Sequence, residues 1–192
     1  MADFGNVVTC VDINQERIAK LERGEIPFYE PGLDRLVLKN VREGRLLFST
    51  SLAEGMRDSE VVFIAVQTPM SESGEADLQY VMKVGEEIGD LLEGYKVIVT
   101  KSTVPVGTSR DLRKVIAARV RPGATFDMAS NPEFLREGSS IEDFMRPDRV
   151  VIGTDTPRAE ELLREIYRPL YLLDTPMVKT GIETSELIKY AA

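Results

Sequence analysis

Val7-Val8-Thr9-Cys10-Val11-Asp12 is a β-branched, apolar run closed by a carboxylate, and the hydrophobic period changes immediately after it. Ile13, Arg17, Ile18 and Leu21 then fall at helical spacing until Gly24 stops the run, so a buried strand hands over directly to a helix. The same handover recurs along the chain. Residues 45–48, 61–66, 97–100, 126–129 and 149–152 read as further strands, and 177–178 as a short extended segment. Between them, helical spacing marks Leu33, Leu36, Val37 and Val41, a single crossover at 51–57, and Leu78, Val81, Met82, Ile88 and Leu92. Leu112, Val115 and Ile116 mark another helix, ended by Pro122-Gly123, and residues 158–167 one more, closed by Pro169. A last helix opens near Glu183, while 24–32 and 71–77 are loop-forming. Strands alternating with helices predict an α/β fold built on a doubly wound, Rossmann-like parallel sheet.

In such sheets ligands bind beyond the carboxyl ends of the strands. There the chain carries Asp12, Thr68, Ser102-Thr103 and Asn131-Pro132-Glu133. Asp12 stands where a dinucleotide fold puts the carboxylate that accepts hydrogen bonds from a ribose diol, but a strand-end Asp also serves to cap the next helix. Arg17, one turn on, suits either a phosphate or open solvent. The threonines also fit turns, Glu133 fits the first turn of a helix, and Lys189 fits a solvated helix face. Cys10, inside an apolar strand, reads as a core residue.

Composition removes whole classes of chemistry. Among 192 residues there is no His and one Cys, which excludes a Ser-His-Asp triad, His-ligated zinc, an intrachain disulfide and a CxxC pair. A net charge of −8, from 24 basic and 32 acidic residues, argues against nucleic acid or an anionic membrane as partner. The longest apolar run, 61–66, is too short to span a bilayer, and Met1-Ala2-Asp3-Phe4-Gly5 lacks the features of a signal peptide. A reducing cytoplasm is the expected location.

Five blocks carry a resemblance. They are Asp3-Phe4-Gly5-Asn6-Val7-Val8-Thr9-Cys10-Val11-Asp12, the run from Lys101 to Thr108, Asn131-Pro132-Glu133-Phe134-Leu135-Arg136-Glu137-Gly138, the run from Asp143 to Gly153, and the run from Glu183 to Ala192. Together, and in this order, they resemble the UDP-glucose/GDP-mannose dehydrogenase family over nearly the whole chain. The Val104-Pro105-Val106-Gly107 turn and the Pro147-Asp148-Arg149 block look most like the members that act on UDP-glucose.

The resemblance implies NAD as cofactor. As activity it implies oxidation of the C6 alcohol of UDP-glucose to the carboxylate of UDP-glucuronate by two hydride transfers, with a Cys holding the aldehyde as a thiohemiacetal and then a thioester. It implies Asp12 on the adenosine ribose with Arg17 nearby, Thr68, Ser102 and Thr103 facing the nicotinamide half, and Glu137 at the cofactor. Glu133, Phe134, Leu135 and Lys189 are implied to surround the nucleotide sugar. Thr103, Glu133 and Lys189 are implied to be catalytic: Lys189 offsets oxyanion charge, and Glu133 accepts a proton with the help of Thr103 and a water.

GDP-mannose and a UDP-N-acetylhexosamine are the alternative substrates, and a non-catalytic nucleotide-sugar-binding or dimerisation module is the alternative from another class. Against the family's pattern the chain is expected to be a fragment, its first strand and Gly-rich loop falling before Met1 and its nucleophilic Cys beyond Ala192. Residues 1–180 are then an incomplete NAD-binding domain and 181–192 the start of a helical dimerisation domain. Such a piece is expected to be marginally stable and inactive by itself, and the full-length enzyme to be a homo-oligomer.

Overall fold

The computed structural model describes residues 1–70, 74 and 76–191, so most of the turn expected at 71–77 lies outside the described residues. The chain divides into two units, one of Met1–Asp58, Phe134–Arg149 and Arg164–Pro176, the other of Ser59–Glu133, Val150–Leu163 and Met177–Ala192.

In the first unit, strand β1 (Val8–Val11) pairs in parallel with β2 (Leu46–Ser49), with Val8 opposite Leu46. Helices α1 (Gln15–Glu22), α2 (Leu33–Arg42) and α3 (Leu52–Arg57) pack on this pair. Asn14 caps α1 by accepting from the Arg17 N–H at 3.0 Å, and Ser51 caps α3 through the Glu54 N–H. A second cluster stacks Phe4 on Phe144, centroids 5.6 Å apart, with Tyr167 tilted against Phe144. Phe144 lies on α6 (Ser140–Met145), a short helix that the sequence pattern did not announce.

The second unit holds a five-stranded sheet in the order β3 (Val61–Ile64), β4 (Tyr95–Thr100), β5 (Thr125–Ser130), β6 (Val150–Thr154), β7 (Met177–Thr180). Every residue of β4 from Lys96 to Thr100 is buried, so both of its faces are covered. Val81 and Ile88 of α4 (Gln79–Leu91), Leu112 and Ile116 of α5 (Thr108–Ala117), and Ala159 and Leu163 of α7 (Pro157–Ile166) are wholly buried with it. Gly89 lets α4 approach α5 closely, since a Cβ there would stand 2.8 Å from the Ile116 carbonyl oxygen. The last helix, α9 (Ile182–Ala191), lies on β5 and β6.

Three expectations need correction. The strands form two sheets among the described residues, and β5 meets β6 antiparallel, through Ala129 opposite Thr154 and Ser130 opposite Gly153. The intervening Phe134–Arg149 segment belongs to the first unit, so the link from β5 to β6 is not a crossover contained within the second unit, the kind of connection that makes neighbouring strands parallel. Cys10 is exposed, as is the neighbouring Val7. Strand β1 is only half-buried, because it sits in a two-stranded sheet rather than between covered neighbours. Finally, Pro169 does not simply close a helix; it occupies the first turn of α8 (Arg168–Tyr171), where its missing N–H costs nothing.

Candidate active site

At the carboxyl ends of β4 and β5 the second unit gathers Lys101, Asn131, Glu133 and, from α9, Lys189. The placement of Lys189 begins one turn earlier on its helix. Glu186 is only 2% exposed, and its carboxylate accepts from the N–H groups of Gly107 at 2.6 Å and Ser109 at 2.8 Å. Those are the free amides at the start of α5, where the left-handed Gly107 (φ 94) offers no side chain of its own as a cap. Ser185 Oγ donates to the Ser130 carbonyl at 3.2 Å. Gly153 brings the backbones of β6 and α9 together, because a Cβ on it would lie 2.4 Å from Ser185 Cβ and 2.9 Å from the Gly181 carbonyl oxygen. Helix α9 is thereby fixed against both neighbours.

Lys189 Nζ then donates to the Glu133 carbonyl at 2.6 Å and to Glu133 Oε1 at 3.1 Å. Lys101 Nζ donates to the Asn131 carbonyl at 3.2 Å and Oδ1 at 3.4 Å, while Asn131 Nδ2 donates to the Val151 carbonyl at 2.8 Å. Burial pushes the Lys101 ammonium down to about 8; Glu133 works against that shift and Lys189 adds to it. Beside them, Thr68 Oγ1 donates to the Thr103 carbonyl at 2.9 Å, and Ser102 Oγ to the Val66 carbonyl at 2.6 Å. These hydroxyls bind the turn after β3 to the turn after β4.

The first unit holds the remaining candidates. Asp12 does not cap α1, a task that falls to Asn14; instead its Oδ1 accepts from the Asn14 N–H at 2.8 Å and its Oδ2 from Arg17 Nη1 at 2.5 Å. Arg149 lies over the Phe134 ring at 5.0 Å from the centroid, and Leu135 and Glu137 are exposed. Two carboxylates hold this segment. Asp143 accepts from the Arg136 N–H at 2.8 Å and from its guanidinium at 2.6 Å, and Glu30 accepts from the N–H groups of Gly138 at 3.0 Å and Ser140 at 2.9 Å. The Arg136 side-chain bond first, and its backbone N–H second, hold Asp143 at about 2. A carboxyl lowered by folding stabilises the native state above its ordinary value and ceases to do so as pH falls through its folded value. The 134–143 segment is therefore expected to keep its amide protection down to about pH 4 and lose it towards pH 2. Amide exchange checks this, with Asp143→Asn losing the protection at every pH.

Sequence reasoning placed Asn131 at a strand end without a role and missed Glu186 and Lys101. Glu186 three residues before Lys189 looks like an ordinary solvated helix pair, and its partners lie 77 and 79 positions away. The signal at Lys101 is a cation directly after the apolar run 97–100.

The profile of the UDP-glucose/GDP-mannose dehydrogenase family, NAD binding domain, matches residues 1–171. The chain is 53% identical over 193 residues to a UDP-glucose 6-dehydrogenase of Rhizobium meliloti, covering 99% of this chain and 44% of that protein. It is 47% identical over 191 residues to the UDP-glucose 6-dehydrogenase TuaD of Bacillus subtilis, covering 100% and 41%. Among solved structures it is similar to a UDP-glucose dehydrogenase from the hyperthermophilic archaeon Pyrobaculum islandicum, with a TM-score of 0.94 and 38% identity over 99% of this chain and 44% of the other. A GDP-mannose dehydrogenase from Pseudomonas aeruginosa matches at a TM-score of 0.89 and 34% identity, with coverage of 99% and 44%. The chain thus spans less than half the length of these relatives. With a family match over most of its residues and close relatives along all of it, the chain belongs to the UDP-glucose/GDP-mannose dehydrogenase family and carries that family's NAD-binding domain.

Proposed function

We propose that the protein is an NAD-dependent oxidoreductase that converts UDP-glucose to UDP-glucuronate, this chain supplying its cofactor domain and part of its substrate site. The observation that carries the reading is the Lys189 ammonium held 3.1 Å from the Glu133 carboxylate, past the end of β5. That pair supplies a proton acceptor and a positive charge side by side, which oxidation of an alcohol needs. As Glu133 takes the C6 hydroxyl proton, with Thr103 orienting a water, its hold on Lys189 weakens, and the ammonium turns to the charge developing on the sugar oxygen. Phe134 and Leu135 line the nucleotide sugar.

NAD, when bound, supplies the hydride acceptor. The residues present suit it: Asp12 Oδ1 accepts from the Asn14 N–H and Oδ2 from Arg17, and a carboxylate with about four lone-pair sites keeps acceptor capacity for ribose hydroxyls. Within the first unit Arg17 offers a countercharge and Glu137 is assigned to the cofactor, and within the second Thr68, Ser102 and Thr103 are assigned to its nicotinamide half. Loss of a charge-assisted acceptor is worth roughly 1.5–3 kcal/mol, so Asp12→Ala is expected to raise the KM for NAD about 10–100-fold. Initial rates at varied NAD check this.

NADH release by the full protein tests the reaction. UDP-glucose is expected to yield two NADH per glucuronate and to be preferred over GDP-mannose and UDP-N-acetylhexosamines; preference for another sugar, or no NADH, decides against it. Relatives named for UDP-glucose at 53% and 47% identity, above the GDP-mannose enzyme at 34%, support that order. We further assign residues 1–180 to the cofactor domain and 181–192 to the start of a helical domain around which copies associate, since Leu187 and Tyr190 of α9 are each 55% exposed. A cytoplasmic location is proposed with it; no helix among the described residues is long and apolar enough to cross a membrane.

A further inference from the structure

We propose that Lys101 is a positioning residue of this site: from the end of β4 it grips the turn that carries Glu133 through Asn131 and sets a second positive charge beside the Glu133–Lys189 pair. The inference rests on the proposed dehydrogenase reading. Its geometric basis is a chain of contacts within one unit. The Lys101 N–H donates to the Ile64 carbonyl at 2.9 Å, fixing the residue across β3 and β4, and its Nζ reaches both the carbonyl and the side-chain oxygen of Asn131. Asn131 is 1% exposed and is anchored to β6 through Val151, so the grip falls on a residue that cannot drift. Two residues on, Glu133 receives Lys189.

A half-buried ammonium is costly, and this one is joined directly to no carboxylate among the described residues. A lysine serving only structure would gain by exchange for an apolar side chain. Its position makes sense as charge supply. With both lysines protonated and Glu133 ionised, the cluster carries one net positive charge, suited to an oxygen turning anionic; once Lys101 loses its proton, that charge is gone. Glu133 and Lys189 are the charged groups that act on Lys101, in opposite directions. Desolvation lowers its titration to about 8 from 10.5, so the unfolded chain holds the proton more firmly across that window. Stability is accordingly expected to rise with pH between those values.

The test uses the full protein with 13C-labelled lysine, the Lys101 signal being assigned by its absence in Lys101→Arg. The Lys101 titration midpoint is expected to move down in Glu133→Gln and up in Lys189→Met. In turnover, Lys101→Met is expected to lower kcat about tenfold at neutral pH, because both the charge and the grip on Asn131 have gone. Lys101→Arg keeps the charge and is expected to carry the alkaline fall in kcat to higher pH. Midpoints unmoved in both partner variants overturn the inference whatever the activity. Moved midpoints with an alkaline limb that Lys101→Arg leaves in place overturn this role alone. Absence of NADH with every nucleotide sugar overturns the proposed reaction and this role with it.

Discussion

Lys189→Met in the full protein is expected to lower kcat about 10²–10³-fold, the usual loss when one preorganised donor to a developing oxyanion is removed. Met keeps the length and packing of the lysine stem while deleting the charge. The Lys189–Glu133 pair is partly solvent-exposed, with 22% and 31% of the side chains accessible, so its removal is expected to cost stability no more than about 1 kcal/mol. A large fall in kcat with an almost unmoved Tm is therefore the expected signature. Lys189→Arg is not expected to restore the rate, since a planar guanidinium cannot place a compact charge 3.1 Å from Glu133 Oε1 and then release it. Retention of more than a third of the parental kcat in Lys189→Met would remove the oxyanion role.

The second large effect lies at a residue with no side chain. Gly153→Ala is expected to destabilise the protein by about 2–3 kcal/mol, the upper part of the range for overpacking, because two of the three atoms its Cβ meets are backbone atoms that cannot swing aside. For a domain of this size that corresponds to roughly 4–12 °C in Tm. The clash is with Ser185 Cβ, the Gly181 carbonyl oxygen and Ile182 Cα, at the root of α9, so kcat should fall together with Tm as Lys189 is displaced. Thermal melts and initial rates on the same preparation check both. A variant that melts like the parent would show that α9 and β6 have room to part.

These two positions show how far the sequence can be read. The order of strands and helices was legible because β-branched runs and helical periods alternate cleanly, and most boundaries fall within two residues of those expected. Burial of β1 was misjudged, since an apolar run says nothing of how many neighbours its strand has. Helix α6 escaped because none of its residues is buried, so no core-facing apolar stripe marks it. The Asp12–Arg17 pairing was not legible: five residues separate them, beyond the three or four that place side chains on one helix face, and Arg17 read as suited to a phosphate or open solvent. Glu133 meeting Lys189 rested on resemblance alone, because 56 residues separate them. The work of Gly153, Glu186 and Lys101 is invisible in one dimension: each is an ordinary residue type whose meaning comes only from what the fold places opposite it.

The buried Glu186 carboxylate also constrains how relatives can diverge. It stoppers a helix 79 positions away whose N-cap residue, Gly107, has a backbone angle closed to ordinary side chains. Drift at position 186 towards an apolar residue would orphan those amides unless position 107 changed its backbone and acquired a hydroxyl or carboxamide in the same lineage. Paired substitution at 107 and 186, or joint retention, is the pattern an alignment of natural sequences should record.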